Sequence, residues 1–176
     1  IIPLARGRAR SRPQGEIVRE VKHLVDEGYR EVILTGVQIS DYRLEERQAG
    51  KGRLRGLCDP VTAILNETTL PRLRLTSIAP WDLEQDLVDL FTDSRLCRHL
   101  HLSLQSGSTT VLRRMRRPYT ADEFADVVEM AGATIPDIAI TRDMIVGFPG
   151  EADVEFQESF DFVERIGFAR VHVFPY

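Results

Sequence analysis

The sequence predicts an α/β protein built on a parallel sheet, and three observations carry that expectation. Short β-branched runs alternate with stretches of helical apolar spacing along all 176 residues, which is the pattern of a parallel sheet with right-handed crossovers. Two runs, LHLSLQSGS at 100–108 and RDMIVGFPGE at 142–151, are each a buried strand ending in polar residues and glycine. No internal repeat or low-complexity tract interrupts the alternation. Five strands without a closing partner suit either an open doubly wound sheet or an arc of a barrel. In both, ligands sit at the carboxyl ends of the strands.

The elements follow in order. Ile17, Val18, Val21, Leu24 and Val25 form one stripe of an amphipathic helix, and Gly28 is placed to end it. EVILT at 31–35 is short, β-branched and stopped by Gly36, so it is the first strand. A polar loop fills 41–56. Asp59 and Pro60 then suit the N-cap and first helical residue of a helix reaching about Asn66. LRLTS at 73–77 is the second strand, and Asp82 is placed to cap a helix carrying Leu83, Leu87, Leu90 and Phe91. Residues 99–104 alternate as the third strand. Thr120 and Glu123 spell a capping box ahead of Phe124, Val127, Val128 and Ala131. Residues 138–146 make the fourth strand. A helix bearing Phe156, Phe160, Val163 and Ile166 stops at Gly167, and 169–174 supply the fifth strand.

Composition narrows the function classes. An apolar share of 43% with 28% charged residues is ordinary for a soluble globular domain. No apolar run approaches the roughly 20 residues of a bilayer span, and no signal-peptide pattern appears, so no membrane partner is expected. Cys58 and Cys97 have no metal-like spacing and fit buried thiols in a reducing cytoplasm. The first thirteen residues hold Arg6, Arg8, Arg10 and Arg12 and no acid. With a net charge of −4 overall, the remainder therefore carries −8. Further basic groups lie at Arg43, Arg47, Lys51, Arg53 and Arg55, and at Arg113, Arg114, Arg116 and Arg117. Clustered arginine on an acidic body points to an anionic partner at particular places. The plainer reading is a set of solvated loop charges.

Each strand-end motif carries two readings. The QSGS segment at 105–108 is either a strand-to-helix turn with Ser108 as N-cap, or a set of exposed N–H groups that hold a carboxylate or phosphate. GFPGE at 147–151 is either a rigid turn or a backbone edge that approaches a flat ligand. Asp143, in an apolar strand, needs partners or a ligand. His99, His101 and His172, at alternating strand positions, suit structural histidines better than ligands. Trp81 suits either core or a base-stacking surface.

Taken together, IIPLARGRARSRP at 1–13, EVILTG, HLHLSLQSGS followed by VLRRMRRPYT, and DMIVGFPGE resemble the central domain of the radical S-adenosylmethionine methylthiotransferases. The likeness covers nearly the whole chain. The basic opening, LTGV and the HVFPY ending are most similar to the branch acting on threonylcarbamoyladenosine in tRNA. Sister branches act on isopentenyladenosine in tRNA or on a ribosomal-protein aspartate. The resemblance implies a partial parallel (β/α) barrel lacking its first strand. It implies S-adenosylmethionine and [4Fe–4S] clusters as cofactors, and tRNA, a reductant and a sulfur donor as partners. In the implied chemistry a 5′-deoxyadenosyl radical abstracts the adenine C2 hydrogen, and a methylthio group replaces it.

Carried over by position, Thr35 and Gly36 match the strand end that meets the cofactor's methionine amino group, although the family's Gly-Gly-Glu is here Thr-Gly-Val. Ser77 matches a strand end facing the cofactor. Gln105, Arg117 and Asp143 match the trio at its carboxylate and ribose, and Gly147 begins the run bordering its adenine. Arg6, Arg8, Arg10 and Arg12 match a segment expected to meet tRNA phosphates. No side chain is expected to make or break bonds, and no metal ligand is expected in this chain. The resemblance places the C-x-x-x-C-x-x-C cluster motif just before Ile1, a second cluster in a preceding domain, and an RNA-binding β-barrel after Tyr176. The chain alone is therefore expected to be inactive. Competing readings are a methylthiotransferase of a sister branch, the ribosomal-protein aspartate enzyme or the isopentenyladenosine-tRNA enzyme, then a non-catalytic RNA-binding remnant and an ordinary phosphate-binding barrel enzyme. For the latter, Asp143 and Glu151 are the only acid–base candidates.

Overall fold

Alternation along the chain becomes alternation in space. The computed structural model describes residue 7, residues 10–43 and residues 55–176; Arg6, Arg8, Arg47, Lys51 and Arg53 lie outside them. Helix α1 (Gln14–Asp26) is followed by strand β1 (Glu31–Leu34), helix α2 (Cys58–Glu67) and strand β2 (Arg72–Leu75). Helix α3 (Gln85–Asp89) leads to strand β3 (His99–His101), then helices α4 (Thr109–Arg114) and α5 (Ala121–Thr134). Strand β4 (Ala139–Val146), helix α6 (Asp153–Ile166) and strand β5 (Arg170–Pro175) complete the order.

Every strand pair is parallel, as the sequence requires. β1 pairs with β2 with Glu31 opposite Arg72, while β4 lies between β3 and β5 with Asp143 opposite His172. The sheet is open and in two parts. Parallel bridges from Leu73 to Leu96 and from Ile78 to Leu102 join β2 to the β3 side, where the Ile78 amide donates to the His101 carbonyl at 3.2 Å. β1 has no second partner among the described residues.

Period-two alternation sorts each strand into two faces. Leu73 and Leu75 of β2, Leu100 of β3, and Ile140 and Met144 of β4 are buried. All but Met144 join one core with Val18, Val21, Ile64, Phe124 and Phe162 from the helices. The intervening residues Arg74, His99, His101, Thr141 and Asp143 are only partly buried and make up an open face. Among the described residues no helix is long and apolar enough to cross a membrane.

Helix ends match and miss the sequence signals for identifiable reasons. The capping box is formed: Glu123 N donates to Thr120 Oγ1 at 3.2 Å, and Thr120 N donates to Glu123 at 2.7 Å. Gly28 and Gly167 take the left-handed conformation just past their helices, at φ 92° and 67°. Asp59 is not an N-cap. α2 begins one residue earlier, and the Asp59 carboxylate accepts from the Arg55 amide at 3.0 Å. Asp82 caps no helix either. It ends a single 3-10 turn (Pro80–Asp82), and its carboxylate accepts from Gln38 at 3.2 Å.

Candidate functional site

Three neighbouring strands leave the sheet through a left-handed residue. Ser77 after β2, Gln105 after β3 and Gly147 after β4 have φ of 60°, 73° and 72°. For glycine this conformation is free, whereas for Ser77 and Gln105 it costs on the order of 1–2 kcal/mol each. Strain of this kind persists where surroundings enforce it and gathers at ligand sites. Gln105 is enforced from both sides: its amide donates to the Asp143 carbonyl (2.9 Å), and its carbonyl accepts from the Ile145 amide (2.8 Å).

The loops around these ends are tightly built. Tyr119 donates its hydroxyl to the Ser103 and Leu104 carbonyls at 2.8 and 2.7 Å, and burial pushes its pKa up to about 12. Trp81 stacks on Tyr119 at 5.3 Å and remains 42% exposed, so it is both a packing residue and a surface. Arg117 lies within electrostatic reach of Tyr119, and its Nε is buried without a hydrogen-bond partner among the described residues.

Two strand-end motifs are already satisfied internally. The amides of Gly147 and Phe148 donate to the Glu151 carboxylate at 2.6 and 3.2 Å. Glu151 thus occupies the anion-holding position of its own turn. In the QSGS segment, Gly107 N donates to Ser159 Oγ (3.1 Å), Ser108 N donates to Ser106 Oγ (3.1 Å), and Ser108 Oγ donates to Glu158 (2.6 Å). The Gly107 amide and the Ser108 hydroxyl are thus spent on docking α6, and the Ser108 amide closes on Ser106 within the segment. The strand-to-helix turn expected of QSGS is present, and the Gly107 and Ser108 amides have partners within the chain. Ser108 keeps the N-cap position without a side-chain capping bond.

Thr35 and Gly36 stand apart from the other candidates. They line a cavity of about 570 Å³ along β1, together with Arg10, Arg12, Gln38 and Asp41. Ser77, Gln105, Arg117, Asp143 and Gly147 do not line it. Gln38 donates to Asp41 at 2.8 Å, and burial, with Asp82 nearby, raises the Asp41 pKa. Several basic residues are held by acids of the same chain. Arg12 meets Glu20 at 3.0 Å and Glu16 at 3.7 Å, Arg55 meets Asp86 at 3.4 Å, and Arg114 makes a two-pronged contact with Glu155 at 2.9 and 2.6 Å. Arg10, Arg113 and Arg116 are exposed.

The open face carries the remaining polar residues. Glu31 receives Arg72 and Arg74, each at 2.7 Å, and those guanidinium groups hold its carboxyl down at a pKa of about 2. His99 Nε2 lies 3.0 Å from Thr141 Oγ1. Asp143 Oδ1 sits 3.3 Å from both His101 Nε2 and His172 Nδ1. Sequence reasoning treated these histidines as structural and missed their convergence. The signal was available: a strand residue two positions from its neighbour shares its face. Both cysteines are buried free thiols, and burial raises the Cys58 pKa. Two isolated buried thiols do not fit a [4Fe–4S] cluster, which is held by several cysteine thiolates.

A family model described as the Radical SAM superfamily matches residues 2–163. The chain is 43% identical over 177 residues to the threonylcarbamoyladenosine tRNA methylthiotransferase MtaB of Chlamydia pneumoniae, covering all of this chain and 40% of that protein. It is 38% identical to the MtaB of Bacillus subtilis, covering all of this chain and 38% of that protein. It is 41% identical over 178 residues to the tRNA-2-methylthio-N(6)-dimethylallyladenosine synthase of Frankia casuarinae, covering all of this chain and 32% of that one. The chain thus spans two fifths or less of these relatives. Among solved structures, the radical S-adenosylmethionine methyltransferase TsrM of Kitasatospora setae superposes with a TM-score of 0.68 at 17% identity, over 93% of this chain and 31% of that one. Coproporphyrinogen III oxidase HemN of Escherichia coli gives 0.60 at 15% identity, over 94% and 38%. These structures share the fold, a parallel partial barrel.

Proposed function

This chain belongs to the radical SAM superfamily, and from that premise we propose that its protein is a tRNA methylthiotransferase acting at C2 of threonylcarbamoyladenosine. S-adenosylmethionine, when bound, supplies the radical and the methyl group. The chain's own residues bind, orient and exclude water, as is usual where a cofactor carries the hard chemistry. Arg117 meets the cofactor's carboxylate, for which a guanidinium fork is chemically apt. Asp143 uses Oδ1 toward the two imidazoles, leaving Oδ2 for ribose hydroxyls. Ser77, Gln105 and Gly147 turn the strand ends toward the ligand, and Gly36 with Thr35 receives the methionine amino end. The cluster ligands come from cysteines that these 176 residues do not hold. For tRNA, exposed Arg10, with Arg6, Arg8 and part of Arg12, meets phosphates, and Arg113 and Arg116 extend the basic rim.

The choice of nucleoside rests on one observation, the polarity of the open face. Relatives acting on threonylcarbamoyl and on dimethylallyl nucleosides are similarly identical to this chain, so identity does not choose between them. His99, His101, Thr141, Asp143 and His172 line the face across β3, β4 and β5. A dimethylallyl group would strip water from these groups and return no hydrogen bond. A threonylcarbamoyl group brings a carboxylate, a hydroxyl and amide-like groups that pair with them. The test uses the full-length protein with its clusters assembled and two tRNAs, one carrying each nucleoside. Mass spectrometry of the digested tRNA should find the methylthio product only on the threonylcarbamoyl tRNA. A product confined to the dimethylallyl tRNA would move the protein to the sister branch, and no product on either would remove tRNA as substrate.

A further inference from the structure

We infer that His101, Asp143 and His172 form a binding site for one divalent transition-metal ion on the open face of the sheet. The three residues come from three adjacent strands. Asp143 and His172 are direct register partners, and His101 stands opposite Thr141, two residues before Asp143 on the same face. Their three ligand atoms all lie within 4.8 Å of one another. The sheet register therefore positions the set, with no loop involved.

The distances suit a metal ion. Both imidazole nitrogens approach the same carboxylate oxygen at 3.3 Å. In a tetrahedral site with bonds of about 2.0–2.1 Å, the edge between two ligand atoms is about 3.3–3.4 Å. Only the separation between the two imidazoles must close, which ring rotation at half-exposed His172 can supply.

Ligand chemistry narrows the ion. Two neutral imidazoles and one carboxylate suit Zn²⁺, Fe²⁺ or Mn²⁺ over Ca²⁺ or Mg²⁺, which take oxygen ligands. Three protein ligands leave a coordination position open, as in catalytic sites and unlike closed structural ones. That position faces the uncovered side of the sheet, so a water or a substrate oxygen can occupy it. The inference holds whichever nucleoside the protein modifies.

Zinc serves as the probe, and the full-length protein is used with its clusters in place so that cysteines do not compete. Calorimetric titration should show one Zn²⁺ bound per chain. Absorption spectroscopy at the zinc edge should show a nitrogen and oxygen shell at about 2.0–2.1 Å without sulfur. His172→Ala and Asp143→Asn should each weaken binding beyond roughly 100-fold, the upper end of what losing an outer-shell partner costs. His99→Ala, on the same face but outside the set, should leave it unchanged. If Asp143→Asn disturbs folding, half-exposed His172→Ala decides alone, with circular dichroism confirming the fold. Absence of stoichiometric binding, a sulfur-containing shell, or affinity undiminished by His172→Ala would each overturn the inference.

Discussion

Gly107→Ala separates a packing role for the QSGS segment from a ligand-holding one. A Cβ at Gly107 would lie 2.8 Å from both Phe162 Cβ and Ser159 Cα, and 3.1 Å from Phe162 Cγ. Ordinary carbon contacts lie at about 3.5–4.0 Å, so a gap of roughly 0.7 Å or more must open. One obstacle is backbone and another is a core ring that is 5% exposed, so α6 as a whole must move off the sheet. Overpacking of this kind costs about 1–3 kcal/mol. The shift also strains the Gly107–Ser159 and Ser106–Ser159 hydrogen bonds, at about 0.5–1.5 kcal/mol each if lost. A loss of about 2–4 kcal/mol is expected, or roughly 5–15 °C in Tm for a chain of this size. Urea unfolding followed by circular dichroism measures it. Gly132→Ala is the counterpart: Gly132 lies in α5 with nothing within 4 Å of its added Cβ, so it should gain about 0.5–1 kcal/mol from helix propensity. An unchanged midpoint for Gly107→Ala, or equal losses for both variants, would refute the packing argument.

Three further outcomes are expected. Ser77→Gly should leave the unfolding midpoint within about 0.5 kcal/mol of the parent, because relief of the left-handed conformation offsets the added chain entropy. Ser77→Val should lower it by about 1–3 kcal/mol, since a β-branched residue resists that conformation more. Arg142→Met should raise stability by about 1 kcal/mol in urea. The Arg142 guanidinium is fully buried with no hydrogen-bond partner among the described residues, burial pushes its pKa down to about 10, and its stacking 4.0 Å over Phe168 only partly compensates. Glu31→Gln should lower the thermal midpoint at pH 7. The folded pKa of Glu31 is about 2 against an ordinary 4.5, so its stabilisation is complete above about 4.5 and fades as pH falls toward 2. The gap between variant and parent in a pH series of melts should close over that window, and a gap that widens there would reverse the assignment.

What the sequence revealed, and what it hid, divides by the range of the interactions involved. Gly28, Gly167 and the Thr120–Glu123 box were legible because each signal lies within four residues of the structure it specifies. The parallel order was legible because helices between strands leave few other topologies. Asp59 and Asp82 misled because a carboxylate before a helical run has other donors to choose from. The Arg55 amide and the Gln38 side chain took them, and the latter is 44 residues away. QSGS was legible as a strand-to-helix turn with Ser108 at the N-cap, but its partners Ser159 and Glu158 lie about fifty residues on, where no local pattern records them. Asp143 was rightly flagged as needing partners, but those partners arrive only once β3 and β5 flank β4.

The two faces of β4 explain why stability and chemistry can be perturbed separately in this domain. Ile140 and Met144 face the helices, while Thr141 and Asp143 face outward. A one-residue register slip would exchange the two sets, so burial of the apolar set fixes the position of the polar one. A protein selected for stability alone has little reason to hold Ser77 and Gln105 left-handed. That strain lies at the strand ends, beside the open face that carries Asp143. QSGS, by contrast, lies next to those strand ends and satisfies its polar groups against α6. Changes at Gly107 or Ser159 should therefore register in unfolding, and changes at His172 or Asp143 in binding. Arg142 is the exception: a buried cation on the helix-covered face, without a hydrogen-bond partner among the described residues, that opposes stability rather than adding to it.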